Sequence, residues 1–321
     1  MGDQTYMNII GEFSRLSKLK VWVEYTFPNL YEYFYLHPYY HFIDPFNDRN
    51  TRKLIKKQGL PELQQVQIET INKCNGICKF CPGNKIDDTR IRTLMNDSLF
   101  HSIIFQLKEM DFSHTLVMQC NNEPLLDPQI LERVKYAREN LPNAYIVMYT
   151  NGNLLNYDKI NSLITNLDML YIDNYYSTSR IDRVNPATKL VYEYIKDHPE
   201  HSDRVTVIFN RIDAKRGSRA GLATNRKFVH LKSICNYPFT DMNIMPDGKL
   251  TMCCNDTMAF TEIGDLNKES IKDAFNNFSY RSIRKEMLRG GRQEIYRCHN
   301  CDACNYPPSF IPKIMAYLGG N

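Results

Sequence analysis

Five short stretches of the chain, 65–70, 114–120, 144–149, 169–173 and 205–209, carry apolar or alternating residues over the length of a strand. Between them the apolar positions shift to a helical rhythm. Leu99, Ile103, Ile104 and Leu107 follow a cap at Asn96 or Asp97, Ile130, Leu131, Val134 and Ala137 share one face of 128–141, and 157–167 reads as a third helix. Strand and helix in alternation are the signature of parallel βα units, at least five of them here. This predicts an α/β core over 62–228.

The flanks differ in pattern. Residues 1–61 are rich in aromatics, as in Tyr31-Glu32-Tyr33-Phe34-Tyr35, with Pro28, Pro38 and Pro45 interrupting any long helix, and are expected to pack as an extension on the core. Residues 229–321 change to short strands and turns, including Pro246-Asp247-Gly248-Lys249, then one helix over about 268–288, which suggests a separate small domain.

Composition narrows the class. No apolar run approaches the ~20 residues of a membrane helix, and Met1-Gly2-Asp3-Gln4-Thr5-Tyr6 lacks a basic start leading into an apolar stretch, so no membrane span is expected and a cytoplasmic protein is. A net charge of +4, with Lys and Arg spread along the chain, gives no ground for nucleic-acid binding. Cysteine is the informative residue: ten of them, in a chain too large to depend on disulfides, point to metal or to chemistry.

Cys74, Cys78 and Cys81 fall within eight residues, on a loop that follows the first predicted strand. The ends of barrel strands are where βα proteins place their active sites. Three closely spaced thiolates can ligate three corners of a four-iron cluster and leave the fourth iron open. Zinc is the alternative occupant, but a closed zinc site wants four ligands and no further Cys or His lies nearby in sequence.

The Cys-x3-Cys-x2-Cys spacing, with Phe80 just before the last cysteine, resembles the radical S-adenosyl-L-methionine (SAM) superfamily. The resemblance implies a partial (β/α)6 barrel whose 4Fe-4S cluster binds SAM at its open iron and cleaves it to a 5'-deoxyadenosyl radical. It also assigns roles further along. Gln119-Cys120-Asn121-Asn122-Glu123-Pro124 is similar to the family's Gly-Gly-Glu-Pro, with Asn122 in place of a glycine, and implies that Glu123 meets the SAM amino group. Thr150-Asn151-Gly152 is similar to a Ser/Thr-Asn-Gly segment near the SAM ribose, which makes Asn151 a candidate contact. Where relatives often carry Ser-Ile-Asp-Gly, this chain has Asp173-Asn174-Tyr175-Tyr176, so the partner of the SAM carboxylate is left between Asn174 and Arg211.

A second group comprises Cys235, Cys253, Cys298 and Cys301, four thiols suited to zinc or to a fully ligated cluster. Together with Gly264-Asp265-Leu266 and the helix after it, the group resembles the SPASM/twitch extension of radical SAM enzymes, which implies one auxiliary 4Fe-4S cluster. Cys304 could replace Cys298 or Cys301, and Cys254 could replace Cys253.

What the resemblance implies is an oxidoreductase that takes a hydrogen atom from a secondary alcohol of a small, carbohydrate-like substrate, a sugar or aminocyclitol, with the auxiliary cluster as electron acceptor and a flavodoxin or ferredoxin as reductant. Three alternatives stay open: a sugar epimerase with Cys254 or Cys120 as hydrogen donor, a peptide- or protein-modifying maturase, and a metal-binding protein without catalysis.

Overall fold

A computed structural model of the chain describes residues 44–78, 80–83, 90–176, 184–211, 218–223 and 231–303. Helix α1 (Asp44–Gln58) leads into strand β1 (Gln65–Ile68). There follow α2 (Asp97–Glu109), β2 (Thr115–Val117), α3 (Ile130–Asn140), β3 (Tyr145–Thr150), α4 (Tyr157–Asn166), β4 (Met169–Tyr176), α5 (Pro186–Asp197) and β5 (Val205–Arg211). The C-terminal part contributes α6 (Tyr237–Thr240), β6 (Asp241–Ile244), β7 (Lys249–Thr251), β8 (Glu262–Asp265), α7 (Ile271–Phe275) and α8 (Phe278–Gly290).

One eight-stranded sheet runs β5-β4-β3-β2-β1-β6-β7-β8. The first six strands are parallel, and β7 and β8 turn back antiparallel. Alternation along each strand sorts the two faces. Val66, Ile68, Leu116, Met118, Ile146, Met148, Leu170 and Ile172 face the helices and join Phe100, Ile104, Leu163 and Ile195 in one buried core. Gln65, Gln67, Thr115, Gln119, Tyr149 and Tyr171 line the concave side instead, around a cavity of about 250 Å³. Val117 and Val147 share that wall, so the inner face mixes amides, a hydroxyl and tyrosines with two valines, unlike the wholly branched apolar filling of a closed barrel.

Local chemistry sets the helix ends. The side-chain oxygens of Asn96, Asn156 and Asn185 cap α2, α4 and α5 by accepting from Leu99, Lys159 and Thr188 backbone N–H groups. Of these, α5 escaped the sequence reading, although Asn185-Pro186 is a cap followed by proline at the first helical position. The expected single helix over 268–288 is two helices, because Asn277 breaks it: its amide oxygen accepts from Tyr280 N while its amide nitrogen donates to Ile263 O. Within the aromatic extension, residues 1–43 lie outside the described residues. Helix α1 packs on the C-terminal part, where Asp44 accepts from Lys232 N at 2.9 Å and Asp48 from Ile234 N at 2.9 Å.

The sixth parallel strand lies at Asp241–Ile244, past the expected boundary at 228, so the sheet runs through from the core into the C-terminal part. Among the described residues no helix is long and apolar enough to cross a membrane.

Asp241 opens β6 with its carboxylate buried, accepting from Thr240 Oγ1 at 2.7 Å and Gln65 Nε2 at 2.9 Å. Burial outweighs those two bonds and pushes its pKa up from 3.8 to about 7. Between these values the folded state holds a proton that the unfolded chain has lost, so this group's contribution to stability falls as pH rises. The urea midpoint of the wild-type protein should therefore drop more from about pH 5 to about pH 8 than that of Asp241→Asn; parallel curves would contradict the assignment.

Candidate active site

The C-terminal ends of the parallel strands surround a cavity of about 590 Å³, into which the loop after β1 turns Cys74, Cys78 and Cys81. A short turn, Cys81 N to Cys78 O at 3.1 Å, curls this loop. Gly76 sits so that a methyl group there would lie 3.4 Å from Cys74 Sγ and 3.7 Å from Cys78 Sγ, so the two sulfurs flank one point of the loop. Phe80 is buried behind it and packs on Tyr175 with ring centroids 5.8 Å apart.

Burial raises the Cys74 thiol to about 11, with the charges of Glu123 and Cys81 adding to the effect. Cys78 is pushed up to about 12, first by burial and then by Cys81, Cys74 and Asp173. Such thiols become thiolates when cationic iron replaces their protons. Three thiols facing one cavity are a donor set that fits three corners of a cubane. Among the described residues no three His, Cys, Asp or Glu side chains converge as they would on a single metal ion; cubane ligands stand on different irons.

Glu123 has a second task beside any contact with a ligand. Its carboxylate accepts from Thr150 Oγ1 at 2.6 Å, Asn151 N at 2.8 Å and Leu125 N at 3.1 Å, and its own N–H donates to Lys73 O at 3.0 Å. Glu123 thereby ties together three loops, its carboxylate joining those after β2 and β3 and its backbone N–H reaching the one after β1. Asn151 completes the tie, donating from Nδ2 to Asn75 Oδ1 at 2.7 Å. Burial raises the pKa of Glu123 while the three donors pull it down.

Strand parity corrects one expectation. Asp173 and Tyr175 line the cavity, but Asn174, one residue out of phase, lies on the opposite face, where its Oδ1 accepts from Asn185 N and Thr188 Oγ1, both at 2.8 Å. It supports the start of α5. Arg211 ends β5 opposite Tyr176, and its side chain lies outside the described residues. The sequence reading missed Asp173, Gln67 and Arg219, all of which line the cavity. Parity with the Cys-loop side of the strands could have found the first two.

On the far side, Cys235, Cys253, Cys298 and Cys301 gather. The Cys253 thiol is raised by burial and then by Cys254, Cys301, Cys235 and Cys298, which places the other three within electrostatic reach of it. Cys254, which is within electrostatic reach of Cys253 and Cys235 as well, lines the cavity beside Gln67, and burial raises its thiol to about 11. Cys120 lies near it, and Asn121 Nδ2 links the two by donating to Cys120 Sγ at 3.2 Å and Cys254 O at 2.9 Å. Cys304 lies outside the described residues.

Residues 68–188 match the family model of the radical SAM superfamily, and residues 235–305 match that of SPASM, an iron-sulfur cluster-binding domain. The chain carries both domains and is a radical SAM enzyme, with a 4Fe-4S cluster and SAM as cofactors of the first domain and auxiliary iron-sulfur as that of the second. Its relatives are more particular. The S-adenosyl-L-methionine-dependent 2-deoxy-scyllo-inosamine dehydrogenase of Niallia circulans is 23% identical over 239 residues, 74% of this chain and 92% of that protein. The crystal structure of BtrN in complex with AdoMet and 2-DOIA superposes with a TM-score of 0.64 at 20% identity, covering 75% of this chain and 94% of that one. BtrN in an open conformation gives 0.55 at 20% identity, covering 75% and 93%. These two structures share the fold.

Gly152, after Thr150-Asn151, has φ +74°, and a methyl group there would meet Ala187 Cβ at 2.8 Å. Gly152→Ala should lose about 1–3 kcal/mol in urea unfolding, whereas Gly83→Ala, whose nearest contacts would be at 3.5 Å, should stay within about 0.5 kcal/mol. Equal losses would refute the reading of this turn.

Proposed function

We propose that the protein dehydrogenates a secondary alcohol on a small polyol-like substrate, in the class of sugars and aminocyclitols, bound between its two cysteine groups. Cys74, Cys78 and Cys81 hold the SAM cluster, and Cys235, Cys253, Cys298 and Cys301 hold one auxiliary cluster. The observation that carries this reading is the cavity itself: Cys74, Cys78 and Cys81 line it, and so does Cys254, the neighbour in sequence of Cys253 in the second group. When bound, the first cluster with SAM supplies a 5'-deoxyadenosyl radical and the second an electron acceptor. The dehydrogenase relative, whose name specifies an inosamine, supports both the substrate class and the oxidation.

The chain's own residues have separable tasks. Glu123 and Asn151 lock the three loops that shape the SAM end, and buried Phe80, packed on half-buried Tyr175, supports the cysteine loop. Gln67 and Gln119, both on the cavity wall, offer amides to substrate hydroxyls. A flavodoxin or ferredoxin would deliver the electron that starts each turnover.

One observation favours a second reading, radical epimerisation: Cys254 lines the cavity as a thiol outside the four-cysteine group and stands where it could return a hydrogen atom to a substrate radical.

Replacing Cys74, Cys78 and Cys81 together with Ala should abolish 5'-deoxyadenosine formation while the second group keeps its iron; retained cleavage would overturn the ligand assignment. With deuterium-labelled polyols, mass spectrometry should find deuterium in 5'-deoxyadenosine and a ketone product. Solvent deuterium in an inverted, unoxidised product, lost in Cys254→Ala, would select epimerisation instead.

A further inference from the structure

The cavity is electrically lopsided. Asp173 lies within electrostatic reach of Cys78 and Glu123, so carboxylates collect at the end where the first three cysteines lie, an end suited to the ammonium and sulfonium of SAM. Arg219 also lines the cavity, but within reach of Cys120 and Cys254 at the opposite end. Among the described residues, other charges near that end are compensated or set apart. Glu69 is buried with Arg90 at 3.6 Å, and Asp241, though within reach of Cys254, does not line the cavity. Among the described residues the guanidinium of Arg219 makes no hydrogen bond or ion pair.

The backbone that carries Arg219 is held in an unusual form. Arg219, Ala220 and Gly221 have φ of 47°, 53° and 84°, three consecutive left-handed residues of which only the last is glycine. Such a turn persists only where its surroundings impose it. Here Ser218 N donates to Asp302 Oδ1 and Asp302 N donates to Ser218 Oγ, a reciprocal clasp beside Cys301. Gly221 is needed as well, since a methyl group there would lie 2.8 Å from Asn300 Cβ. The C-terminal cysteine loop therefore fixes the turn that points a cation into the cavity.

We infer that Arg219 is a specificity-determining residue, which receives a carboxylate or phosphate on the substrate and selects against one that carries an ammonium there. The inference rests on the proposed function and narrows it from polyols in general to sugar acids or sugar phosphates. A guanidinium matches either anion in a paired, planar geometry, and Arg219 is half-buried where it lines the cavity. The same chemistry could serve the carboxylate of SAM, so the test has an arm for each source.

Titration calorimetry on the protein with both clusters reconstituted and SAM bound would compare D-glucuronate, glucose 6-phosphate, D-glucose and D-glucosamine. At least one anionic probe should bind about tenfold or more tightly than glucose and glucosamine, and carboxylate and phosphate are told apart by which one does. Arg219→Gln should erase that preference, and Arg219→Lys should keep part of it, while SAM affinity stays within about twofold in both. Anionic probes that bind wild type no better than glucose, or a preference that survives in Arg219→Gln, would overturn the inference. So would a parallel loss of SAM affinity, which would assign Arg219 to SAM. Failure of the functional reading shows separately, as absence of 5'-deoxyadenosine from the wild-type protein.

Discussion

Four residue pairs, Gln65 with Asp241 through Ile68 with Ile244, join β1 to β6 in parallel, and Glu69 N extends the ladder to Ile244 O at 2.9 Å. The strands are more than 170 residues apart in the chain, and everything at the site depends on their meeting. The loop leaving β1 carries Cys74, Cys78 and Cys81. The hairpin that continues β6 through β7 carries Cys253 and Cys254. Pairing β1 with β6 brings β7 and the segment after it alongside β1, and Cys254 of that segment lines the same cavity as Cys74, Cys78 and Cys81. Long-range parallel pairing is slow to form because loop closure precedes any gain from contact, and the buried core on the helix side is what makes it favourable.

A second constraint is the division of labour among buried polar groups. The three donors on Glu123 leave its carboxylate little freedom, and that is what makes it useful: it holds the ends of β2 and β3 in one arrangement, its backbone N–H adds the loop after β1, and a low-dielectric setting strengthens each bond. Asp44 and Asp48 do the same for the approach to Cys235, and Asp256 for the exit from Cys254, where it accepts from Phe260 N and Thr261 N. Carboxylates on backbone N–H groups thus hold the segments that flank Cys235 and Cys254, whereas Cys74 helps to shape its own loop by accepting from Gly76 N at 3.3 Å. The left-handed turn at Arg219 extends this pattern, with Asp302 of the C-terminal loop as its clasp.

Much of this was legible in the chain alone. The five βα strands, the helices at 97–109, 130–140 and 157–166, and the hairpin turn at Gly248 lie close to where periodicity and turn chemistry put them, because spacing is a local property. The spacing of Cys74, Cys78 and Cys81 and the Glu123-Pro124 and Thr150-Asn151-Gly152 segments likewise announced a radical SAM enzyme before any coordinates, since each is a short motif set on a strand end. Asn174 was misread because a one-residue change of phase moves a side chain to the other face of the sheet, and only the pairing of β4 with β3 and β5 fixes that phase. Which of Cys253 and Cys254 turns toward the cavity, that β6 belongs to the same sheet as the core, and that Arg219 enters the site were decided by tertiary structure. Each depends on contacts between segments far apart in sequence, and local pattern carries no record of them.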